Sequence, residues 1–157
     1  MVKIIPFKAI RPTRDKASLV ASRSYLTYSD ETIKEKLDHN PYTFLHIINP
    51  NYNNPNKETG KAKFKLVKRR FDEFIKQEIL KKDDSEHFYI YQNRNQINTF
   101  TGIIGAASIE DYLSNNIKKH EQTIKKREEI FCNYLETTGF NADPVLLTHE
   151  PNENIKI

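Results

Sequence analysis

The sequence is poor in the features that mark secreted, membrane-spanning or disulfide-linked proteins. Cys132 is its only cysteine, which excludes an intramolecular disulfide and a metal site built from several thiolates. No stretch approaches the about 20 consecutive apolar residues that a membrane helix requires. The first seven residues are interrupted by Pro6 too early to form a signal peptide. We therefore expect a soluble protein of the cytoplasm with no membrane partner.

Histidine pairs at the spacing of a zinc site are also missing from the sequence. His39, His46, His87 and His149 are scattered along the chain, and none of them forms the i, i+4 pair of a helical zinc site. We therefore predict no transition metal.

A strong excess of one charge is absent as well. The 25 Lys and Arg residues against 21 Asp and Glu residues give a formal net charge of +4. A dedicated nucleic-acid-binding protein concentrates a larger positive charge on one face. The modest excess is enough for a small anionic ligand, and this is the partner that the composition favours.

The chain is long enough, at 157 residues of which 37% are hydrophobic, to bury a core as one domain over residues 1–157. Periodicity and turn residues predict strands that interleave with helices, and this order predicts an α+β fold in which a mixed, partly antiparallel sheet packs with helices. The expected strands cover residues 2–5, 44–48, 87–92, 99–107 and 143–148, and the expected helices cover residues 30–37, 61–80 and 124–138.

The most regular helical pattern covers residues 61–80. Its apolar residues lie near one face at helical spacing, while lysines, Arg69 and acids fill the remainder. The predicted face comprises Phe64, Val67, Phe71, Phe74, Ile75 and Leu80.

Turn and capping residues mark the connections between elements. Residues 93–96 are polar and predict the turn of an antiparallel hairpin, and residues 49–56, rich in Asn and Pro, predict a surface loop. Ser108 is expected to cap a short helical turn, with Tyr112 and Leu113 packed beneath it.

The last predicted helix, residues 124–138, ends at Gly139, which is a typical C-cap residue. Its spacing predicts that Phe131, Tyr134 and Leu135 face the interior.

A dense cationic segment surrounds one imidazole and one carboxylate, those of His120 and Glu121. Thr123 can cap the helix that follows, which places both side chains near its N-terminus. Free backbone N–H groups and the helix dipole favour an anion such as phosphate there. Glu121 is the candidate base. Helical spacing aims only two or three of the nearby cations at one spot, and these cations are Lys118, Lys119, Lys125, Lys126 and Arg127.

The alternative is that Glu121 and His120 are ordinary solvated residues on a charged helix start. Charged segments of this kind are usually solvated surface, and the residues alone favour this second interpretation.

Gly102 and Gly105 lie upstream in a run of β-branched residues, 101–107, that predicts a buried strand whose backbone meets a neighbour closely. The two glycines could present their backbone to a nucleotide, although the run lacks the Lys-Ser/Thr ending of a Walker loop. The ordinary alternative is that they let a helix press onto the strand.

Short motifs, in a particular order and spacing, carry a resemblance to a known family. They are IPFKAIRP at residues 5–12, NP at 40–41, FLHI at 44–47, YIY at 89–91, TGIIG at 101–105, EDY at 110–112 and HEQT at 120–123. With these motifs nearly the whole chain resembles the N-terminal portion of the domain-of-unknown-function family numbered 1015.

Members of that family look longer and carry an Asp-Gly-His-His-Arg segment shortly after the strand that Pro144 and Val145 match here. This chain lacks that segment, so the resemblance implies a fragment or an incomplete module. The order of a His-Glu pair, a helix and Asp-Gly-His-His-Arg is also similar to archaeal free-serine kinases of the ParB and sulfiredoxin-like superfamily. This similarity implies a ParB/sulfiredoxin-like fold.

The second similarity implies transfer of a phosphoryl group from ATP or ADP, with magnesium, to a small hydroxyl substrate such as free serine. Glu121 would be the base and His120 would assist the transferred phosphate. The residues expected to contact the nucleotide or its phosphates are Thr123, Lys119, Arg127, Gly102 and Gly105.

Two non-catalytic alternatives stay open. A ParB-like module would bind nucleic acid through Lys118, Lys119, Lys125 and Lys126. A structural or interaction module would carry the charged helix only as solvated surface.

Overall fold

The computed structural model describes residues 2–23, 27–119 and 124–149. Within these ranges it contains six strands, which are β1 (Ile4–Ile5), β2 (Ile10–Pro12), β3 (Leu80–Lys82), β4 (Tyr89–Arg94), β5 (Thr99–Ile104) and β6 (Ala106–Ala107). The helices are α1 (Ala17–Val20), α2 (Asp30–His39), α3 (Leu45–Ile48), α4 (Gly60–Lys76), α5 (Ile109–Leu113) and α6 (Lys125–Thr138). The predicted α+β class is confirmed.

The strands form three antiparallel pairs, β1 with β6, β2 with β3, and β4 with β5. The antiparallel part of the prediction is therefore confirmed, and the described strands divide into pairs instead of joining one sheet.

Backbone contacts group the chain into two compact units. The first unit comprises Met1–Ala9, Asp83–Gln122 and Asn141–Ile157, and the second comprises Ile10–Lys82 and Thr123–Phe140. No helix in the described ranges combines the length and apolar character needed to cross a bilayer.

The core of the second unit forms on α4. Val67, Phe71 and Phe74 are buried, and their spacing of four and three residues places them on one face of the helix. The α6 helix packs against α4, where the Tyr134 ring meets Phe64 edge-on with centroids 5.4 Å apart. The predicted helix and most of its apolar face are therefore confirmed.

The end of α4 differs from the prediction, which carried the helix to residue 80. Glu78 takes a positive φ of 54°, so the helix stops at Lys76. The Ile79 N–H donates to the Phe74 carbonyl at 2.9 Å and the Glu78 N–H donates to Ile75 at 3.0 Å. These two bonds form a Schellman motif without the usual glycine, and Leu80 then starts β3. Because a Glu occupies the left-handed position, the sequence carried no stop signal.

The predicted strand over residues 44–48 is wrong, because Leu45–Ile48 form the single-turn helix α3. Leu45 and Ile47 are fully buried. The Thr43 N–H donates to the Asn40 carbonyl, and the Thr43 hydroxyl accepts from the Leu45 N–H, so the chain enters this run already turning. Periodicity cannot distinguish a short buried helix from a buried strand.

The predicted hairpin of the first unit is confirmed by the pairing of β4 with β5, in a register that runs from Tyr89 opposite Ile104 to Arg94 opposite Thr99. The turn lies at residues 95–98, where the Asn95 side chain accepts from the Asn98 N–H at 2.6 Å. The strand was expected to be buried, which is wrong, since Ile103 is 57% exposed. A two-stranded ribbon has no layer above either face unless another element covers it.

Helix α5 begins as predicted, because the Ser108 hydroxyl accepts from the Asp111 N–H. Its apolar residues do not pack beneath it, however, since Tyr112 and Leu113 are exposed. The predicted strand over residues 143–148 is also wrong, because that segment has no regular secondary structure.

Helix α6 ends at Gly139 as predicted, and the positive φ of 72° there explains why glycine suits the position. Tyr134 packs against the core and Leu135 is partly buried, whereas Phe131 is exposed, so one of the three predicted inward residues is wrong.

Candidate functional site

The predicted catalytic residues His120 and Glu121 and the predicted phosphate contact Thr123 lie outside the described residues. The structure describes the chain before these residues up to Lys119 and after them from Ile124. Helix α6 follows with Ile124 at its N-cap position, and the Ile124 carbonyl accepts from the Arg127 N–H at 2.8 Å.

Hydrogen bonds of Asp111 in α5 hold the segment that leads to His120. The Asp111 carboxylate accepts from the Lys3 N–H and from the Asn116 side-chain amide, each at 2.8 Å. These bonds hold the pKa of Asp111 below its usual value, the Lys3 N–H first and Asn116 second. The Asp111 carbonyl also accepts from the Ile117 N–H at 3.0 Å. These hydrogen bonds connect the turn before Lys118 to Lys3, which lies just before β1.

Lys119 is exposed, and its ammonium group lies 4.5 Å from the centroid of the Tyr112 ring. A cation over an aromatic face keeps its full charge and remains open to water on its outer side. Tyr112 therefore gives this cation a preferred position at the surface of α5.

The two glycines have different surroundings. A Cβ added at Gly105 would lie 2.6 Å from the Ile4 side chain and 3.2 Å from the Ile5 carbonyl oxygen, whereas one added at Gly102 would meet nothing within 4 Å. Gly105 therefore allows β1 to approach closely, which confirms the expected close backbone contact for this residue, but the approaching element is a strand and not the helix of the ordinary interpretation.

We expect Gly105→Ala to lower the free energy of unfolding by about 1–3 kcal/mol, because the new methyl group overlaps Ile4 and the Ile5 backbone. Gly102→Ala is the matched control and should change stability by less than about 0.5 kcal/mol, since that position is open. Urea unfolding of the two variants measures the difference. Equal losses would show that the contact between β1 and Gly105 contributes nothing.

Arg127 lies in the first turn of α6, with Lys125 and Lys126 beside it, and all three are exposed. Cations at this end oppose the helix dipole, so they weaken the helix and raise the local positive potential. Arg127 belongs to the second unit, whereas Lys119, Gly102 and Gly105 belong to the first.

The second unit contains a cleft of about 340 Å³ that the sequence did not predict. It is called here the His46 cleft, and the residues that define it are Asp38, His46, Tyr52, Arg70, Glu73 and Phe74. They come from α2, α3, the loop after α3 and α4, so four segments that are separated in sequence build its wall.

The surroundings of His46 favour the neutral form of its imidazole. Burial lowers the pKa of its imidazole, the nearby Arg70 charge acts in the same direction, and the bond to Asn40 opposes both. The partner of Nε2 is the Asn40 carbonyl at 3.1 Å, so Nε2 carries the proton that it donates. In the neutral ring Nδ1 is then an acceptor.

Two acidic residues line the same cleft: Glu73, which is ion-paired, and Asp38, which accepts a hydrogen bond. Arg70 Nη1 donates to Glu73 Oε2 at 2.9 Å, and Arg69 Nε lies 3.8 Å from the other oxygen of Glu73. The Tyr52 hydroxyl donates to Asp38 Oδ1, and this bond raises the pKa of Tyr52. The charged groups are therefore held in position by their neighbours.

The sequence carried no signal for this cleft. Residues 49–56 were predicted to be a surface loop, and they do form turns, but the loop also brings Tyr52 and Asn53 to the cleft. His46 was missed because a strand over residues 44–48 would have placed its side chain differently. In the described part of the chain no three His, Cys, Asp or Glu side chains gather as a metal site.

Comparison with known proteins yields one match. A family model described as "Protein of unknown function (DUF1015)" matches residues 4–157. No curated protein and no solved structure matches the chain. The family predicted from the short motifs is confirmed, and the similarity to free-serine kinases stays a prediction.

Proposed function

The chain belongs to the DUF1015 family of proteins of unknown function, and we propose that it takes part in nucleotide-dependent phosphotransfer to a small hydroxyl substrate such as free serine. The observation that carries the proposal is the His120-Glu121 pair between two cationic segments of the sequence, an order that is similar to that of free-serine kinases.

Cationic residues flank the pair on both sides in the sequence, and each flank by itself attracts anions. Lys118 and Lys119 on one side and Lys125, Lys126 and Arg127 on the other are exposed. A hydrogen bond of Asp111 holds the turn before Lys118 and Lys119. The three cations on the other side lie on the first turn of a 14-residue helix. Backbone N–H groups at a helix N-terminus add to the attraction for phosphate.

In the proposed reaction the hydroxyl oxygen of the acceptor attacks the terminal phosphorus of ATP or ADP, and the bond from that phosphorus to the nucleotide breaks. Glu121 takes the hydroxyl proton and His120 hydrogen-bonds the transferred phosphoryl group. The cations hold the phosphates, and bound magnesium supplies further charge neutralisation. Such catalysis depends on position and electrostatics more than on covalent chemistry.

Nucleotide binding is the first test. We expect isothermal titration of the full chain with ATP or ADP and magnesium to show binding at millimolar nucleotide or below. Lys119→Gln and Arg127→Gln should each weaken it several-fold, because each removes a charge beside the phosphates. Lys65→Gln, an exposed lysine on α4, is the matched control. The absence of heat at millimolar nucleotide would reject the proposal.

Nucleic-acid binding is the second candidate function, favoured by the exposure of Lys118, Lys119, Lys125 and Lys126. Phosphate contacts release counterions, so an affinity for DNA would fall steeply with salt on a log–log plot. The same protein samples therefore separate the two functions, since free nucleotide with magnesium tests one and a salt series with DNA tests the other.

A further inference from the structure

We propose that the His46 cleft binds a small zwitterionic molecule of the amino-acid class, with the carboxylate of the ligand on Arg70 and its ammonium group on Asp38. The inference concerns the second unit alone and stands or falls independently of phosphotransfer.

The size of the cleft suits such a ligand. Its volume of about 340 Å³ lies at the lower end of the about 300–1,000 Å³ typical of small-molecule sites. Leu37 and Phe74 contribute buried apolar surface, while Asp38, Arg70 and Glu73 contribute charge. A few fixed polar groups above an apolar floor are typical of a site for a small polar molecule.

Arg70 supplies the donor for a carboxylate. A guanidinium group has five N–H donors in a rigid fork, and the bond to Glu73 engages one nitrogen, Nη1. The remaining donors match the two oxygens of a carboxylate.

Asp38 supplies the acceptor for an ammonium group. Its Oδ1 accepts from the Tyr52 hydroxyl, which fixes the rotamer of the carboxylate. The same hydrogen bond is the main cause that raises the pKa of Tyr52, so the hydroxyl keeps the proton that it donates to the carboxylate. The bond to Tyr52 engages Oδ1 and leaves Oδ2 of the carboxylate for a cationic partner.

The presence of both charge signs in one cleft decides the ligand class. A simple anion would meet Asp38 and Glu73, and a simple cation would meet Arg70, so each would leave unfavourable charge contacts. A zwitterion satisfies both. The neutral His46 ring adds a hydrogen-bonding group without changing that balance.

The test compares three small molecules that all carry a hydroxyl group. L-Serine has both charged groups, ethanolamine lacks the carboxylate and glycolate lacks the ammonium group. Isothermal titration of the full chain should show L-serine binding about tenfold or more tightly than either of the others, because each lost charge-assisted hydrogen bond weakens binding. An absence of serine binding at about 10 mM would overturn the proposal, because dissociation constants in the millimolar range already correspond to weak binding. Equal binding of all three compounds would overturn it as well.

Two neighbouring arginines provide matched variants. Arg70→Gln should lose about tenfold or more in serine affinity, since it removes the carboxylate partner, and Arg69→Gln should stay within about twofold because Arg69 does not line the cleft. Asp38→Asn should weaken L-serine and leave glycolate unchanged or tighter. Equal effects of the two arginine variants would contradict the assignment.

The position of the ligand is checked by NMR on the unmodified protein. L-Serine should shift the ring-proton resonances of His46, which lines the cleft, in a saturable titration. A titration that shifts other residues but leaves His46 unchanged would place serine elsewhere, including at the acceptor site of the proposed phosphotransfer, and would overturn this inference while leaving the other intact.

Discussion

Replacing Glu121 with glutamine is expected to lower the rate of phosphoryl transfer to free serine by about 10²–10⁴-fold, because the amide cannot accept the hydroxyl proton. The side chain keeps nearly the same shape, so nucleotide affinity should change little. The rate is measured as phosphoserine formed from labelled nucleotide with magnesium.

Glu128→Gln is the matched control for this experiment. Glu128 is an exposed acid in the first turn of α6, and the variant changes the charge of the protein by the same amount. A Glu121→Gln protein that binds nucleotide and transfers phosphate as fast as the unmodified chain would remove Glu121 from the chemistry. Unmodified protein that binds nucleotide but forms no phosphoserine would reject serine as the acceptor.

Replacing Ile47 with alanine is expected to lower the free energy of unfolding by about 2–5 kcal/mol. Ile47 is fully buried in the cluster that includes Val67, Phe71 and Phe74, so the truncation leaves a cavity that α4 cannot close. Urea unfolding followed by circular dichroism measures the loss.

Ile130→Ala makes the same truncation on α6 at a residue that is 52% exposed, and it should change stability by less than about 0.5 kcal/mol. If Ile47→Ala cost no more than this control, the single-turn helix α3 would not be part of the core.

The elements that the sequence predicted well are those whose evidence is local. The periodic face of α4 is visible in the spacing of Val67, Phe71 and Phe74, and Gly139 marks the end of α6. The hairpin of β4 and β5 follows from two strand-forming runs around a polar turn. In each case neighbours within a few residues carry the information.

The elements that the sequence missed depend on distant contacts. Residues 44–48 enter the core at a long range in sequence, because the Phe44 N–H donates to the Val20 carbonyl at 3.0 Å and Ile47 joins the buried cluster of α4. The burial of a strand also depends on residues far away in the sequence. The pattern over residues 101–107 predicts a buried strand, although Ile103 is exposed.

For function, the one-dimensional pattern was enough to identify the family, since ordered short motifs survive without any knowledge of packing. It also singled out His120 and Glu121, which are adjacent in the chain. The His46 cleft could not be found in this way, because Asp38, His46, Tyr52 and Arg70 come from four segments. Their proximity exists only after burial of the α4 face folds those segments together, and long-range packing leaves no fixed spacing in a sequence.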